Sequence, residues 1–252
     1  MNIDLSGKVA VVTGATGMLG EPIARTLAAC GAHVAVSYLS NAKKAQRIAA
    51  DIEALGARAV AVQTDVTDLD GVLAMRDAVR EALGDADVIV NNAVIQYKWV
   101  TVLEQAAQDY ESQFRSCVLH NVHMAQAFVP AMIKKGGGRV IAISTECAMQ
   151  CWPNQSAYAS GKRGMDGVLR CLAKEVGPHQ ITVNQVAPGY MISERDPADP
   201  ERDAWYVEGI PLRHRGEAQD IANVVAFIAS DYARFISGAY IPVCGGNVMP
   251  RI

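Results

Sequence analysis

The feature that most constrains the fold is the alternation of short apolar runs with longer amphipathic segments. Seven runs rich in β-branched residues recur along the chain, and each is apolar at nearly every position. They span residues 9–12, 33–37, 59–62, 88–90, 140–143, 181–186 and 240–243. Strands that are apolar throughout are typical of parallel sheets covered by helices on both faces. The pattern therefore predicts an α/β fold, a Rossmann-type doubly wound parallel sheet of about seven strands.

Composition narrows the class of protein further. Half of the residues are hydrophobic and 19% are charged, which excludes a disordered chain. The 23 basic and 26 acidic side chains give a net charge of −3, unlike the basic surface of a nucleic-acid binder. No apolar run is long enough to span a bilayer, and six scattered cysteines suit a reducing compartment. We therefore expect one soluble, cytoplasmic domain over residues 1–252, with no nucleic acid, membrane or metal as partner.

The first apolar run leads into a glycine-rich turn, which reads Thr13-Gly14-Ala15-Thr16-Gly17-Met18-Leu19-Gly20. Glycines in such a turn let backbone N–H groups approach a pyrophosphate at the positive end of the following helix. The position of the turn between the first strand and the first helix therefore predicts a dinucleotide site. The alternative is that the glycines serve only close packing of strand against helix. The predicted cofactor contacts are Gly14, Thr16, Gly17, Met18, Leu19 and Gly20.

The end of the second apolar run bears on the choice of cofactor. A carboxylate there would bind the 2′-hydroxyl of the adenine ribose in NAD. This chain has no carboxylate between Ser37 and Asn41, and Lys43 and Lys44 follow. Missing negative charge and nearby cations favour a 2′-phosphate, so the sequence predicts NADP(H) over NAD(H), with Ser37 and Asn41 as contacts. The alternative is that both lysines simply face solvent.

Tyr158 and Lys162 form the candidate catalytic pair. They lie four residues apart in a segment of helical pattern, which places both side chains on one face. A free tyrosine has a pKa of about 10, and a neighbouring ammonium group lowers that value. The pair is therefore suited to proton transfer to a carbonyl oxygen. The alternative is an exposed tyrosine beside a solvated lysine, because this spacing also occurs by chance.

Taken together, these features resemble the short-chain dehydrogenase/reductase family, in its short branch, and are similar to 3-oxoacyl-(acyl carrier protein) reductases. The resemblance covers essentially the whole chain and depends on the order of several short motifs. These are Thr13-Gly14 with the glycines that follow, Asp65-Val66, Asn91-Asn92-Ala93, Tyr158 with Lys162, Val183-Asn184, Pro188-Gly189, Asp220-Ile221-Ala222 and Gly245-Gly246.

The resemblance implies roles for residues outside the glycine-rich turn. Asp65 would bind adenine with Val66 beside it, and Asn92 and Ala93 would flank the ribose. Lys162 would hold the nicotinamide ribose. The nicotinamide would be lined by Pro188, Gly189, Met191 and Ser193.

Two departures from the family pattern affect the catalytic group. The family's catalytic serine lies thirteen residues before the tyrosine, where this chain has Thr145, with Ser144 as the second choice. The family's catalytic asparagine aligns with Cys117, and Asn121 lies one helical turn later. A thiol is a weak donor and cannot replace an amide. Either Asn121 compensates, or it is a locally satisfied polar residue and the proton relay differs.

The predicted function is that of an NADP(H)-dependent oxidoreductase that interconverts a carbonyl and a secondary alcohol. Thr145 and Tyr158 would bind the carbonyl oxygen, and Tyr158, assisted by Lys162, would supply the proton. Two alternatives stay open. The changes at Cys117 and Thr145 are compatible with a cofactor-binding sensor or scaffold of little turnover. The spacing of the glycines, with Met18 where the short branch has glycine, resembles the longer branch that modifies nucleotide sugars.

The substrate is a small carbonyl compound or alcohol whose identity the sequence does not specify. A polar, proline-containing segment late in the chain predicts a substrate loop at about residues 191–216. Trp152, Trp205 and Tyr206 suggest an aromatic-lined pocket. Arg195 and Arg202 could meet an anionic substrate or be solvated. The determinants of specificity are predicted in residues 94–100, 146–154 and 191–211.

Assembly is predicted from two long helices, at about residues 105–135 and 156–177. Both carry apolar residues on more than one face, which indicates a second partner beyond the sheet. The resemblance implies pairing through these helices, as a homotetramer or a homodimer. The side chains predicted to face outward are Val118, Val122, Ala125, Phe128, Met165, Val168, Leu169 and Leu172.

Overall fold

The seven predicted strands pair into one parallel sheet in the computed structural model, which describes residues 2–194 and 196–250. The spatial order is β3-β2-β1-β4-β5-β6-β7. The strands are β1 (Val9–Val12), β2 (His33–Tyr38), β3 (Ala59–Gln63), β4 (Val88–Asn91), β5 (Gly138–Ile143), β6 (Ile181–Pro188) and β7 (Tyr240–Val243). The prediction of a doubly wound parallel sheet is confirmed. Several strands run one or two residues beyond the apolar runs. For example, the polar residue Asn91 continues the pairing of β4 with β5 at the carboxyl end of the strand.

Helices connect successive strands and cover both faces of the sheet. They are α1 (Gly20–Ala29), α2 (Ala42–Ala54), α3 (Leu69–Ala82), α4 (Ala107–Gln113), α5 (His120–Lys135), α6 (Cys147–Gln150), α7 (Ser156–Val176), α8 (Pro200–Val207) and α9 (Ala218–Ala229). A π-helical turn, Phe114–Leu119, joins α4 to α5, and short 3-10 turns follow α7 and α9. None of the helices in the described part of the chain combines the length and hydrophobicity needed to cross a membrane.

Two apolar cores lie on opposite faces of the sheet, because side chains alternate along each strand. On β1, Ala10 and Val12 pack into the core that holds α1, α2 and α9. Val9 and Val11 point to the opposite core, which holds α3, α5 and α7. Both cores are continuous with buried strand residues, so the sheet edge at the strands' carboxyl ends is held rigidly from both sides.

The predicted helix over residues 105–135 is interrupted by the π-helical turn. Side chains in the turn and at the start of α5 bind backbone carbonyls four residues back: Ser116 Oγ donates to the Ser112 carbonyl at 2.9 Å, and Asn121 Nδ2 to the Cys117 carbonyl at 2.7 Å. The His120 Nδ1 lies 3.2 Å from the Ser116 carbonyl. Such bonds compete with the regular helical hydrogen bonds and favour the π-helical interruption. Hydrophobic periodicity does not report these bonds, so it predicted one unbroken helix.

The predicted outward stripe on the long helices is only partly correct. Val118, Phe128, Met165 and Leu169 are buried within the chain itself. The reason is a close approach of α7 to the π-helical turn, where a side chain added at Gly164 would meet the Val118 Cγ2 at 2.9 Å. Val122, Ala125, Val168 and Leu172 are partly exposed.

Candidate active site

A cleft opens at the carboxyl ends of the strands, where the chain order reverses between β1 and β4. Such a topological switch point is where open α/β sheets bind ligands. The cleft has a volume of about 640 Å³. Most of the residues predicted to contact a cofactor line it, namely Gly14, Thr16, Gly17, Met18, Leu19, Asp65, Val66, Asn92, Ala93, Lys162, Pro188, Gly189, Met191 and Ser193. We call it the cofactor cleft.

The glycine-rich turn is shaped by packing as well as by access to the cleft. Gly14 has φ +60°, and a Cβ there would lie 2.9 Å from the Ala93 Cα. A Cβ on Gly20 would lie 2.2 Å from the Gly14 carbonyl oxygen, and Gly20 does not line the cleft. Gly17 faces the cleft and is exposed. The packing alternative therefore accounts for Gly20, whereas Gly14 serves both packing and access.

Hydrogen bonds join the glycine-rich turn to the end of β4. The Asn92 amide donates to the carbonyls of Thr13 and Gly14 at 2.9 and 3.1 Å. The Thr13 hydroxyl accepts from the backbone N–H groups of Asn92 and Ala93 at 2.9 and 3.2 Å. The motif of two asparagines and an alanine thus joins the turn to the end of β4 by four hydrogen bonds.

The far end of the cleft requires a correction to the predicted contacts. Ser37 is buried, and Asn41 caps α2 by accepting from the Lys44 N–H at 3.0 Å. Neither lines the cleft; Tyr38, Leu39 and Ser40 do. Alternation along β2 turns Ser37 into the fold, and capping occupies the Asn41 side chain. At the same end, Asp65 accepts from both the N–H and the hydroxyl of Thr67, at 2.9 and 2.7 Å.

The two lysines near this end differ. Lys44 forms a 2.7 Å ion pair with Glu21 of α1, so its charge is already balanced. Burial alone would raise the pKa of Glu21, but Lys44 and Arg25 lower it. Lys43 is exposed. A positive charge for a 2′-phosphate is therefore available chiefly from Lys43.

Tyr158 and Lys162 lie together at the inner end of the cleft. The Lys162 Nζ is 5.7 Å from the centre of the Tyr158 ring and donates to the Ile143 carbonyl at 2.6 Å. Burial raises the pKa of Tyr158, and nearby Cys147 and Cys117 add to the rise, while the Thr145 hydroxyl opposes it. Burial has the opposite effect on Lys162 and lowers its pKa, because the charged form of a lysine is the protonated one. The sequence predicted a lowered pKa for Tyr158, whereas in this structure desolvation dominates and raises it.

The remaining predicted catalytic residues occupy different surroundings. The Thr145 Oγ1 accepts from the Cys147 N–H at 3.2 Å and lines the cleft beside Tyr158. The Ser144 Oγ is buried and has no hydrogen-bond partner within residues 2–194 and 196–250. The Asn121 Oδ1 accepts from the Asn91 amide at 2.8 Å. Because its own amide binds the Cys117 carbonyl, Asn121 corresponds to the locally satisfied alternative.

A second cavity, of about 620 Å³, adjoins the cleft and shares Thr145 and Tyr158 with it. Trp99 stacks on Tyr158, with ring centres 5.9 Å apart and an interplanar angle of 25°. Trp152 and Trp205 meet edge to face at 5.5 Å. We call it the aromatic cavity, because seven of its lining residues are aromatic: Tyr97, Trp99, Trp152, Tyr158, Tyr190, Trp205 and Tyr206.

Arg215 holds the predicted substrate loop against the body of the protein. Its buried guanidinium pairs with Asp203 at 2.7 Å and with Asp196 at 2.9 Å, and donates to the Met191 carbonyl at 2.7 Å. It also lies over the Tyr190 ring at 3.6 Å. Arg202 forms ion pairs with the same two carboxylates, and Arg195 lies outside the described residues. The loop is therefore pinned at several points around one buried cation.

Comparison with known proteins agrees with this geometry. The family model described as Enoyl-(Acyl carrier protein) reductase matches residues 14–247. A 3-oxoacyl-(acyl carrier protein) reductase of Staphylococcus aureus is 35% identical over 243 residues, covering 96% of this chain and 98% of the relative. The chain belongs to the short-chain dehydrogenase/reductase family. The coverage confirms the predicted short branch, and membership makes the chain an NAD(P)-dependent oxidoreductase.

Solved structures of this family have the same fold. The 7 alpha-hydroxysteroid dehydrogenase complexed with NADH and 7-oxo glycochenodeoxycholic acid matches with a TM-score of 0.92 and 33% identity, over 99% of this chain and 97% of that one. A blue fluorescent protein from a metagenomic library, in complex with NADPH, matches with a TM-score of 0.91 and 36% identity, over 98% and 100%. The two structures carry different nicotinamide cofactors.

Three residues of this short-chain dehydrogenase/reductase lie within the predicted substrate-binding segments, although the sequence assigned none of them an individual role. The Tyr97 hydroxyl accepts from the Tyr158 N–H at 2.8 Å, and so supports the candidate acid–base residue. Glu146 is buried beside the aromatic cavity, and Arg215 is the buried cation under the loop. A charged residue three positions after the end of the apolar strand β5 was a usable signal for Glu146. Nothing local distinguished Tyr97 or Arg215, because their partners are distant in sequence.

Proposed function

We propose that this enzyme interconverts a carbonyl compound and a secondary alcohol, with Tyr158 as acid–base, Thr145 as carbonyl-binding group and Lys162 as their support. The observation that carries the proposal is that Thr145 and Tyr158 line both the cofactor cleft and the aromatic cavity. A substrate in the cavity and a cofactor in the cleft would therefore meet at these two hydroxyl groups.

The cleft fits a nicotinamide dinucleotide. Residues 16–18 of the glycine-rich turn line the cleft just before the start of α1, where the positive end of the helix favours a pyrophosphate. The buried Lys162 ammonium has one acceptor among the described residues, the Ile143 carbonyl, so two of its donors are free for ribose hydroxyls. Such a cofactor, when bound, supplies or accepts the hydride.

The side chains of this chain provide the proton and the orientation. The Thr145 and Tyr158 hydroxyls bind the carbonyl oxygen, and Tyr158 gives its proton as negative charge develops there. A tyrosine with its ordinary pKa of about 10 is protonated at neutral pH, so Tyr158 carries the proton that the reductive direction needs. Burial raises the pKa of Tyr158 further, which makes the proton harder to release. The buried Lys162 ammonium stabilises the tyrosinate that remains after proton transfer.

Turnover of a panel of ketones and alcohols tests this function. The enzyme is incubated with each compound and either cofactor, and absorbance at the nicotinamide band is followed. Conversion of at least one ketone or secondary alcohol is the expected result. Tight cofactor binding without conversion of any compound would contradict the proposal and favour a sensor or scaffold.

NADP(H) is the favoured cofactor in this proposal. The cleft residues at the end of β2 are Tyr38, Leu39 and Ser40, which offer no carboxylate to repel a phosphate. Lys43 is the exposed cation nearest in sequence. NADPH should bind more tightly than NADH, and the preference should weaken with rising salt. Lys43→Ala should lower the preference by about threefold, as expected for an exposed pair, and Lys44→Ala by less. Equal binding of the two cofactors to the wild type would refute this choice.

A homo-oligomer, tetramer or dimer, also belongs to the proposal. Phe114 on the π-helical turn is 52% exposed and adjoins a shallow groove with Tyr110, Leu119 and Ser160. A second copy of the chain would cover this apolar face. Light scattering should give a multiple of the 26.9 kDa chain mass, and Phe114→Glu should dissociate it. A wild-type mass equal to one chain would exclude the oligomer.

The six cysteines are all free, which supports the predicted cytoplasmic location. Fractionation of producing cells should place the protein with cytoplasmic markers.

A further inference from the structure

The aromatic cavity is lined by two carboxyl groups, of which only one forms ion pairs with cations in the part of the protein that the structure describes. Among the described residues, its charged lining side chains are Glu146 and Asp196. Asp196 is neutralised, because its two oxygens pair with Arg202 and Arg215, each at 2.9 Å. Glu146 instead accepts from neutral groups: the Tyr206 hydroxyl at 2.6 Å and the Asn247 amide at 3.0 Å. Within residues 2–194 and 196–250, no cation pairs with it.

Glu146 is also almost fully buried, with 3% of its surface exposed. A buried carboxylate without a positive partner is unfavourable, and two neutral hydrogen bonds offset only part of its desolvation. Burial accordingly raises the pKa of Glu146, against the effect of the Tyr206 and Asn247 hydrogen bonds. A cation entering the cavity would therefore stabilise the ionised form of Glu146, which the neutral donors Tyr206 and Asn247 stabilise only in part.

The aromatic walls favour the same kind of ligand. All three tryptophans of the chain line the cavity, together with four tyrosines. Faces of tryptophan and tyrosine rings attract cations and also stack on aromatic rings. The walls therefore complement a ligand that combines a ring with an ammonium group.

We propose that the substrate is an aromatic ketone or alcohol bearing an ammonium group, with Glu146 as the residue that selects for the charge. The proposal rests on the function proposed above, because the reacting carbonyl must meet Thr145 and Tyr158. Glu146 lines the same cavity as Thr145 and Tyr158, so a ligand whose carbonyl meets those two hydroxyls can place a cationic group toward the Glu146 carboxylate. Trp99 and the pair Trp152–Trp205 would hold the ring.

Three probes with one skeleton test the charge preference. They are the phenacyltrimethylammonium cation, its neutral carbon isostere 3,3-dimethyl-1-phenylbutan-1-one, and the anion 2-oxo-2-phenylethanesulfonate. Binding is measured by calorimetry on enzyme saturated with oxidised cofactor, so that no turnover occurs. We expect the cation to bind about tenfold more tightly than the neutral ketone, and the anion to bind most weakly. Equal or tighter binding of the neutral ketone or the anion would overturn the proposal.

Substitution of Glu146 assigns the preference to one residue. Glu146→Gln keeps the size and one acceptor, so the ratio of cation to neutral affinity should fall to about one third or less. Glu208→Gln is the matched control, because Glu208 is exposed at the end of α8 and lies outside the cavity lining. It should leave the ratio unchanged. A ratio unaltered in Glu146→Gln would reject the role of Glu146, and the wild-type comparison stands even if that variant folds poorly.

The same probes separate this inference from the proposed function. Reduction of the ketones without a preference for the cation would leave the oxidoreductase proposal intact and refute the charge selection. Selective binding of the cation, with no alcohol formed from any ketone with either reduced cofactor, would refute the reaction and retain the cavity's charge selectivity. The ammonium group also activates the ketone chemically, so rates are compared as ratios between wild type and Glu146→Gln.

Discussion

The cofactor cleft and the aromatic cavity meet at Tyr158, but they are built in different ways. The cleft is formed by strand ends and a glycine-rich turn, held by hydrogen bonds in which the side chains of Thr13 and Asn92 bind each other's backbone. The cavity is formed by residues from four separate segments, held by the Glu146–Tyr206 hydrogen bond and by the ion pairs of Arg215. We therefore expect exchanges of lining side chains to alter the cavity more than the cleft.

This difference determines which residues we expect to tolerate substitution. The cleft depends on close backbone approach, where even a methyl group at Gly14 would contact Ala93. The cavity presents large side chains on loops, which can be exchanged while the sheet stays in place. We expect substitutions in the cleft to alter cofactor binding and substitutions in the cavity to alter substrate binding, whereas changes at Tyr158 and Thr145, which line both, should alter the reaction itself.

The largest effect should come from Tyr158→Phe. Loss of the proton donor should lower kcat by about 10³-fold, while cofactor affinity changes little, because the phosphates bind elsewhere. Steady-state kinetics and cofactor titration measure the two quantities. Tyr232→Phe, a change at an exposed tyrosine outside both sites, is the control. Turnover in Tyr158→Phe comparable to wild type would remove Tyr158 from its role.

A strong effect confined to the cleft should follow from Gly14→Ala. The new methyl group would lie 2.9 Å from the Ala93 Cα, at a residue with φ +60°. The displaced turn should weaken cofactor binding by about 100-fold in a titration. Gly56→Ala is the matched control, because Gly56 has φ +89° but no atom within 4 Å of the added group. If both variants bind the cofactor equally well, the close contact with Ala93 does not matter for cofactor binding, and Gly14 is required only for its positive φ.

An effect confined to the cavity should follow from Arg215→Ala. Removal of the buried cation leaves the Asp203 and Asp196 carboxylates and the Met191 carbonyl without a main partner, so the loop loosens. KM should rise about tenfold with cofactor affinity retained, and limited proteolysis should cut the loop sooner. Arg202→Ala should have less effect, since Arg202 is 44% exposed. A parallel loss of cofactor binding would mean that the two regions are coupled.

The smallest effect expected is that of Trp99→Ala. The lost stack on Tyr158 should raise KM about fivefold for an aromatic substrate, and Trp99→Phe should restore most of the affinity. A change in kcat without a change in KM would show instead that Trp99 positions Tyr158 rather than the substrate.

The sequence by itself determined the features that depend on local pattern. Alternating apolar runs predicted the seven strands and the doubly wound sheet, because each run must be buried on both faces. The glycine-rich turn and the Tyr158–Lys162 spacing predicted the cleft and the pair beside it, since both are set by residues within a few positions of each other.

Only the tertiary structure decided the features that depend on distant partners. It placed Ser37 and Asn41 away from the cleft, turned Val118 and Leu169 into the core and raised the pKa of Tyr158. Each result depends on burial among residues far away in the chain. Glu146 acquired its significance in the same way, because Tyr206 and Asn247 reach it from 60 and 101 residues away. Local periodicity carries no information about such pairings, since they form only when separate segments pack together.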